Sequence, residues 1–242
     1  MSQPNNPAGR LLQVLREAER DYDRLKGMKS LDAWSQLLCV PNHQRRRLIN
    51  TIFLTYELPQ EIERSVRAST ASDPDRYLVW VKQFNIYLRS VSFESKFEAN
   101  HSGLVDPSSL ALLNFCDELL ATNPEPVVDH DALLKLLDGI EGCVRDIQQS
   151  DLPHHVRLYL LRLLDLVADS IAEYRVIGIR AVAYCTDSVY GLHKREQGTW
   201  EQAKTTEIGD RVWDIMGKYA TVVAVVESAA RLGAFVQKFL PA

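Results

Sequence analysis

Glycine and proline are scarce in this sequence, where together they supply 21 of 242 residues against an average of about 12%. Leucine alone contributes 32 residues. A chain with so many core-forming side chains and so few turn residues is not expected to be disordered. Its length allows one large domain or two small ones.

Cysteine pairs and an excess of basic charge are also missing. The four cysteines, Cys39, Cys116, Cys143 and Cys185, are far apart, and none belongs to a C-x-x-C pair. The first ten residues contain no apolar signal segment. We therefore predict a reduced, cytoplasmic protein. The net charge of -4 gives no electrostatic drive toward nucleic acid, which is not an expected partner.

Catalytic and cofactor motifs are absent from the sequence. It contains no phosphate-binding glycine motif, neither G-x-x-x-x-G-K-[ST] nor G-x-G-x-x-G, and no G-x-S-x-G nucleophile turn. Glu98 and His101 have the E-x-x-H spacing of di-iron bundles, but such a site needs a second copy and two further glutamates. The adjacent His154 and His155 point in different directions on a helix. We predict no catalytic residue, no metal and no cofactor.

Helical periodicity dominates the chain, and no alternating strand pattern of useful length appears, so we predict an all-α fold. Asp73-Pro74 and Asp106-Pro107 place aspartate at a helix cap and proline at the first helical position. They predict helices over 74–99 and 107–121. The same reasoning predicts that Asn42 caps a helix reaching Tyr56 and that Pro59 opens another.

Asn123-Pro-Glu-Pro126 is the best boundary in the sequence, because two prolines so close together cannot continue a helix. We predict an N-terminal lead and helix over 1–27, a small adaptor-like bundle over 28–123 and a long-helix bundle over 124–242. The first 123 residues carry 15 basic and 15 acidic side chains, so the whole net charge belongs to the last segment.

Two long periodic segments, 153–195 and 200–239, follow a shorter helix that Asp129 or Asp131 is expected to cap. Gly178 is a candidate weak point of the first segment. The two long segments could pair in antiparallel, either within one chain or between chains, so a homo-oligomer is possible. Their period is not strict enough to predict a heptad coiled coil.

Arg45, Arg46 and Arg47 form a basic run at a predicted helix start, where the helix dipole disfavours cations. Three interpretations remain open: a solvated face with intramolecular ion pairs, a contact for a protein partner, or a nucleic-acid contact. The neutral charge of the surrounding segment and the apolar residues that follow it count against nucleic acid.

Residues 31–66 contain the pattern Leu31…Leu37-Leu38-x-x-Pro41…Arg45-Arg46-Arg47-Leu48…Leu58-Pro59-x-x-Ile62-x-x-Ser65-Val66. This pattern resembles the bacterial effector-associated domains of conflict systems, and the resemblance extends over at most residues 30–120. It implies a small death-fold-like helical adaptor that joins a sensor or an NTPase to a protease-like effector. On this interpretation the chain is a protein-interaction module in bacterial defence. Its candidate partner-binding residues are Arg45, Arg46, Arg47, Glu61, Arg64 and Arg67.

An alternative function follows from the apolar segment at 217–239, whose only charged residues are Lys218, Glu227, Arg231 and Lys238. A buried bundle helix and a partner-docking helix are both compatible with it. The third possibility is that the chain is a membrane-perturbing effector acting through this helix, although the segment is borderline for a membrane span.

Overall fold

The computed structural model describes residues 5–69, 73–90, 92–122 and 124–224. The described residues form α-helices and short connections without a β-strand, so the prediction of an all-α fold is confirmed. The chain divides into two compact units. Unit 1 comprises Met1–Glu125 and Arg175–Gly178, and unit 2 comprises Pro126–Tyr174 and Ile179–Ala242.

Unit 1 differs in extent from the predicted segments 1–27 and 28–123. Its first helix belongs with the rest of the unit, and a short segment from late in the chain, 175–178, joins it as well. Its helices are α1 (Pro7–Arg20), α2 (Tyr22–Leu25), α3 (Ser30–Leu38), α4 (Arg45–Ala68), α5 (Pro74–Ser90), α6 (Glu98–Leu104) and α7 (Pro107–Leu120).

Helix α1 packs against α7 and α4, and α5 packs against both α4 and α7. Local signals explain where several of these helices begin. Asn6 caps α1 by accepting a hydrogen bond from the Gly9 amide at 2.9 Å. Asp106 caps α7 by accepting one from the Ser109 amide at 2.8 Å, as predicted. The core of unit 1 is built from fully buried side chains, among them Leu11, Trp34, Leu48, Ile52, Trp80 and Phe97.

The predicted helix over 74–99 is wrong in its second part, because α5 ends at Ser90 and α6 starts only at Glu98. Backbone groups in the connection bond to the segment before α3 instead. The Ser30 amide donates to the Ser95 carbonyl at 2.8 Å, and the Phe97 amide donates to the Met28 carbonyl at 2.9 Å. These hydrogen bonds pair backbone groups of the connection without a helix, and Phe97 is buried.

The predicted helix boundary at Pro59 is also wrong. A short 3₁₀ turn over Asn42–Gln44 leads into α4, which continues through Pro59 to Ala68. A proline inside a helix removes one backbone hydrogen bond and costs about 3 kcal/mol. Leu58, Pro59 and Ile62 are all buried in the core, and this packing outweighs the local penalty.

Unit 2 contains α8 (His130–Gln149), α9 (His154–Ile177, whose last turn belongs to unit 1), α10 (Ile179–Arg195), α11 (Gln197–Ala203) and α12 (Glu207–Val222). Asp129 caps α8 by accepting a hydrogen bond from the Ala132 amide, which confirms one of the two predicted caps. Helix α12 packs on α8. The core of unit 2 includes Leu160, Leu163, Val167, Trp200, Trp213 and Tyr219.

Gly178 interrupts the predicted helix over 153–195. It has a φ of +59°, a left-handed conformation in which α9 ends and after which α10 begins. In unit 1 the Arg10 guanidinium donates to the Val176 carbonyl at 2.8 Å and to Glu125 at 2.7 Å. Side-chain atoms of Arg10 and Glu125 thus occupy the space that a Cβ at Gly178 would need.

The predicted continuous helix over 200–239 is broken near its start. Helix α11 ends at Ala203, and Thr206 caps α12 by accepting a hydrogen bond from the Gly209 amide at 2.9 Å. The predicted apolar helix over 217–239 begins within α12, where Tyr219, Ala220 and Val223 are buried in the core of unit 2. Residues 225–239 of that prediction lie outside the described residues.

Candidate functional site

An open groove lies in unit 1 between the C-terminal half of α4 and the outer side of α5. It has a volume of about 590 Å³. Val79 and Ile86 stand along it with 58% and 62% of their surface exposed, whereas Leu78 and Val81 are buried beneath them. Its lining residues are Glu63, Arg67, Asp75, Leu78, Val79, Val81, Lys82, Asn85 and Ile86.

Helical spacing explains why these side chains share one surface. Asp75, Val79, Lys82 and Ile86 follow one another at intervals of four, three and four residues, which keeps them on one face of α5. The inner face carries Trp80, Phe84 and Tyr87, all of them buried. The aromatic rings of Trp80 and Phe84 meet edge to face, with 6.0 Å between their centroids. This packing fixes the rotation of α5 and leaves its outer face exposed.

A charged cluster of Glu63, Arg67 and Asp75 lines part of the groove. The Arg67 guanidinium contacts Glu63 Oε1 at 3.0 Å and Asp75 Oδ1 at 2.7 Å, which joins the end of α4 to the start of α5. Its hydrogen bond to Asp75, followed by the one to Glu63, raises the pKa of Arg67 above its ordinary value. The cluster is exposed to solvent, so it contributes orientation rather than much stability.

The structure separates the predicted partner-binding residues. Arg45 and Arg46 are exposed in the first turn of α4, and Arg47 beside them is half-buried and donates a hydrogen bond to Gln44. At 1.5 Å per residue, Arg45 and Arg67 are about 33 Å apart along the same helix. The basic run is therefore a separate surface from the groove.

Of the three residues predicted near the end of α4, Arg67 lines the groove. Glu61 is half-buried, and Arg64 is exposed with its guanidinium 3.4 Å from the Gln60 carbonyl. No residue of α5 belongs to the partner-binding residues predicted from the sequence. A signal was present, because Val79 and Ile86 fall outside the helical stripe of apolar residues that forms the buried face.

Glu98, His101, His154 and His155 are the residues whose types and spacing could suggest a metal site. Within the described part of the chain, no three His, Cys, Asp or Glu side chains lie where they could hold a metal ion together. His155 Nε2 is instead 2.8 Å from Gln202 Oε1. The side chain of His101, the second member of the E-x-x-H pair, lies outside the described residues.

Three of the four cysteines are buried thiols. Burial raises the pKa of Cys116 and Cys143, and raises that of Cys185 to about 12. Such thiols stay protonated at neutral pH and pack as small apolar groups. Cys39 is exposed at the end of α3, and its sulfur is 3.1 Å from Arg175 Nη1 within unit 1.

In the part of the chain that the structure describes, no helix is both long enough and apolar enough to cross a bilayer. The chain matches no protein-family model, and comparisons with curated proteins and with solved structures also found no match. Fold and surface together define an all-α protein with an exposed groove between two helices.

Proposed function

We propose that this protein is a non-enzymatic helical interaction module, an adaptor or regulator, and that the groove between α4 and α5 receives a helix of a protein partner. The observation that carries this proposal is the exposure of Val79 and Ile86 on either side of Lys82, above an apolar floor. Recognition of an amphipathic helix in an apolar groove uses this arrangement.

The expected energetics favour a specific and reversible contact. Fully burying a valine or isoleucine side chain contributes roughly 1.5–3 kcal/mol, and each of these two side chains has more than half of its surface left to bury. The charges of Arg67, Asp75 and Lys82 at the margin of the groove would set the orientation and the association rate of the partner.

The resemblance to effector-associated domains supports a cytoplasmic role in bacterial defence. A protease-like effector or an NTPase would then be the partner. The exposed Arg45 and Arg46 would form a second contact, suited to an acidic surface of that partner. Because this contact is so far from the groove along α4, the two surfaces can be tested separately.

The variant Val79→Asp/Ile86→Asp tests the groove. We expect it to raise the dissociation constant of a purified partner, first identified by pull-down, by at least about 100-fold, because charged groups would replace apolar ones in the contact. Isothermal titration calorimetry would measure the change.

Tyr184→Asp is the matched control, since Tyr184 is 58% exposed in unit 2 and lies on a different helix. This control should bind as the wild type does. Equal partner affinity in the wild type and the groove variant would contradict the assignment of the groove.

The variant Arg45→Glu/Arg46→Glu tests the basic run. Acidic residues in the first turn interact favourably with the helix dipole, by about 0.3–1 kcal/mol each. The change also removes the attraction between Arg45 and Glu94, so the temperature of thermal unfolding should change little. Affinity for an acidic partner should nevertheless fall. A functional surface predicts weaker binding at nearly unchanged stability, whereas unchanged affinity would show that the basic run does not contact the partner.

A further inference from the structure

The exposed face of α5 carries an acidic and a basic residue at nearly equal distances from Val79. Asp75 and Lys82 are opposite charges two helical turns apart, and the exposed Val79 lies almost midway between them. Along the helix axis the two charges are separated by about 10.5 Å. Both are exposed, and the side chain of Asp75 keeps 77% of its surface accessible although it contacts Arg67.

An antiparallel helix with the same pattern complements this face. If two copies of α5 lie side by side in opposite directions, with their centre between positions 78 and 79, Asp75 of each copy faces Lys82 of the other. Val79 of one copy then meets Val79 of the other at the centre. In such a two-fold contact each interaction occurs twice, which is the usual arrangement in homodimers.

The opposite orientation does not fit the same charges. In a parallel pair with matching register, Asp75 would face Asp75 and Lys82 would face Lys82, and like charges placed together oppose association. The charge pattern therefore complements an antiparallel second copy of α5 and disfavours a parallel one.

We propose that the helix received by the part of the groove around Val79 is α5 of a second copy of this chain, in an antiparallel two-fold contact with Asp75 and Lys82 paired across the interface. This inference rests on the proposed interaction function and names its partner. One helix from each copy gives a small interface, so the dimer is weak and forms at high protein concentration.

Two single charge reversals test this pairing on the full-length chain. Lys82→Glu leaves two acidic groups on the face, and Asp75→Lys leaves two basic ones, so each variant repels its own copies. Sedimentation-equilibrium ultracentrifugation over a wide concentration series should show each variant with a dimer dissociation constant at least about tenfold above that of the wild type.

An equimolar mixture of the two variants provides the decisive measurement. Each acidic pair then meets a basic pair, so the mixture should dimerise again although neither component does so alone. Lys135→Glu is the control for Lys82→Glu, because Lys135 is exposed on α8 in unit 2 and the two substitutions change the net charge equally. It should dimerise as the wild type does.

Three results would overturn the inference: a wild type that is monomeric at every concentration, a dimer unaffected by the single reversals, or a mixture that stays monomeric. Failure of this inference can be distinguished from failure of the proposed function. A monomer that still binds another protein through Val79 and Ile86 would refute the second copy as occupant and retain the interaction module.

Discussion

Replacing Gly209 by alanine is expected to lower the free energy of unfolding of unit 2 by about 3 kcal/mol or more. Gly209 lies in the first turn of α12, where a Cβ would stand only 2.0 Å from the Ala203 carbonyl oxygen and 2.8 Å from its carbon. Both atoms belong to the backbone, so no side chain can rotate away to make room. Thr206, which caps α12, binds the Gly209 amide at 2.9 Å and would be displaced as well.

Urea denaturation would measure this loss, with hydrogen–deuterium exchange of peptides from α12 assigning it to unit 2. The indole rings of Trp200 and Trp213 meet edge to face across the same turn, at 4.0 Å between centroids, so their fluorescence should change in the folded state. Gly142→Ala is the control. It lies in α8 with open space around the position, and it should stabilise the protein by about 0.5–1 kcal/mol. A Gly209→Ala variant as stable as the wild type would exclude this close approach.

The second large effect is expected at Arg10, where replacement by methionine should cost about 3–5 kcal/mol. Arg10 is a charged residue with only 3% of its surface exposed. Its guanidinium forms two contacts with the Glu125 carboxylate, at 2.7 and 3.3 Å, and one with the Val176 carbonyl at 2.8 Å. Removing it leaves a partly buried carboxylate and a helix-end carbonyl without this donor, and an ion pair broken from one side is destabilising.

A double variant distinguishes the contribution of the ion pair to stability from that of packing. Arg10→Met/Glu125→Leu removes both charges and should recover a substantial part of the stability, since an apolar pair can replace a buried ionic one. Arg24→Met is the matched control, because Arg24 contacts Asp21 at 2.7 Å with 55% of its side chain exposed, and its loss should cost less than about 1 kcal/mol. Equal costs at Arg10 and Arg24 would contradict the structural role of Arg10.

Part of the candidate site could be predicted from the sequence. The sequence indicates that α5 starts at Pro74 and that one of its faces carries the apolar residues Leu78, Val81, Phe84 and Tyr87. These features could be recognised because the preference of proline for a helix start and helical periodicity both act over a few residues. The groove could not be predicted from the sequence, since its other wall comes from α4. The neighbouring Arg67 was predicted as a contact, but its pairing with Asp75 depends on how α5 packs against α4.

The resemblance to effector-associated domains and the role of Arg45, Arg46 and Arg47 stay predictions. What the structure adds is their placement: the basic run begins α4 and the groove borders its end. A sequence pattern could not supply this, because the helix was expected to stop before Pro59. The distance between two surfaces depends on whether one rigid helix joins them.

The sequence by itself determined the all-α class and the sites where capping is local, such as Asp106 and Asp129. These features depend on interactions between residues three or four positions apart. Only the tertiary structure decided that Pro59 stays inside a helix, because burial of its neighbours outweighs one lost hydrogen bond. It also buried Arg10, whose partners at Glu125 and Val176 are more than 100 residues away and become neighbours only when unit 1 has folded.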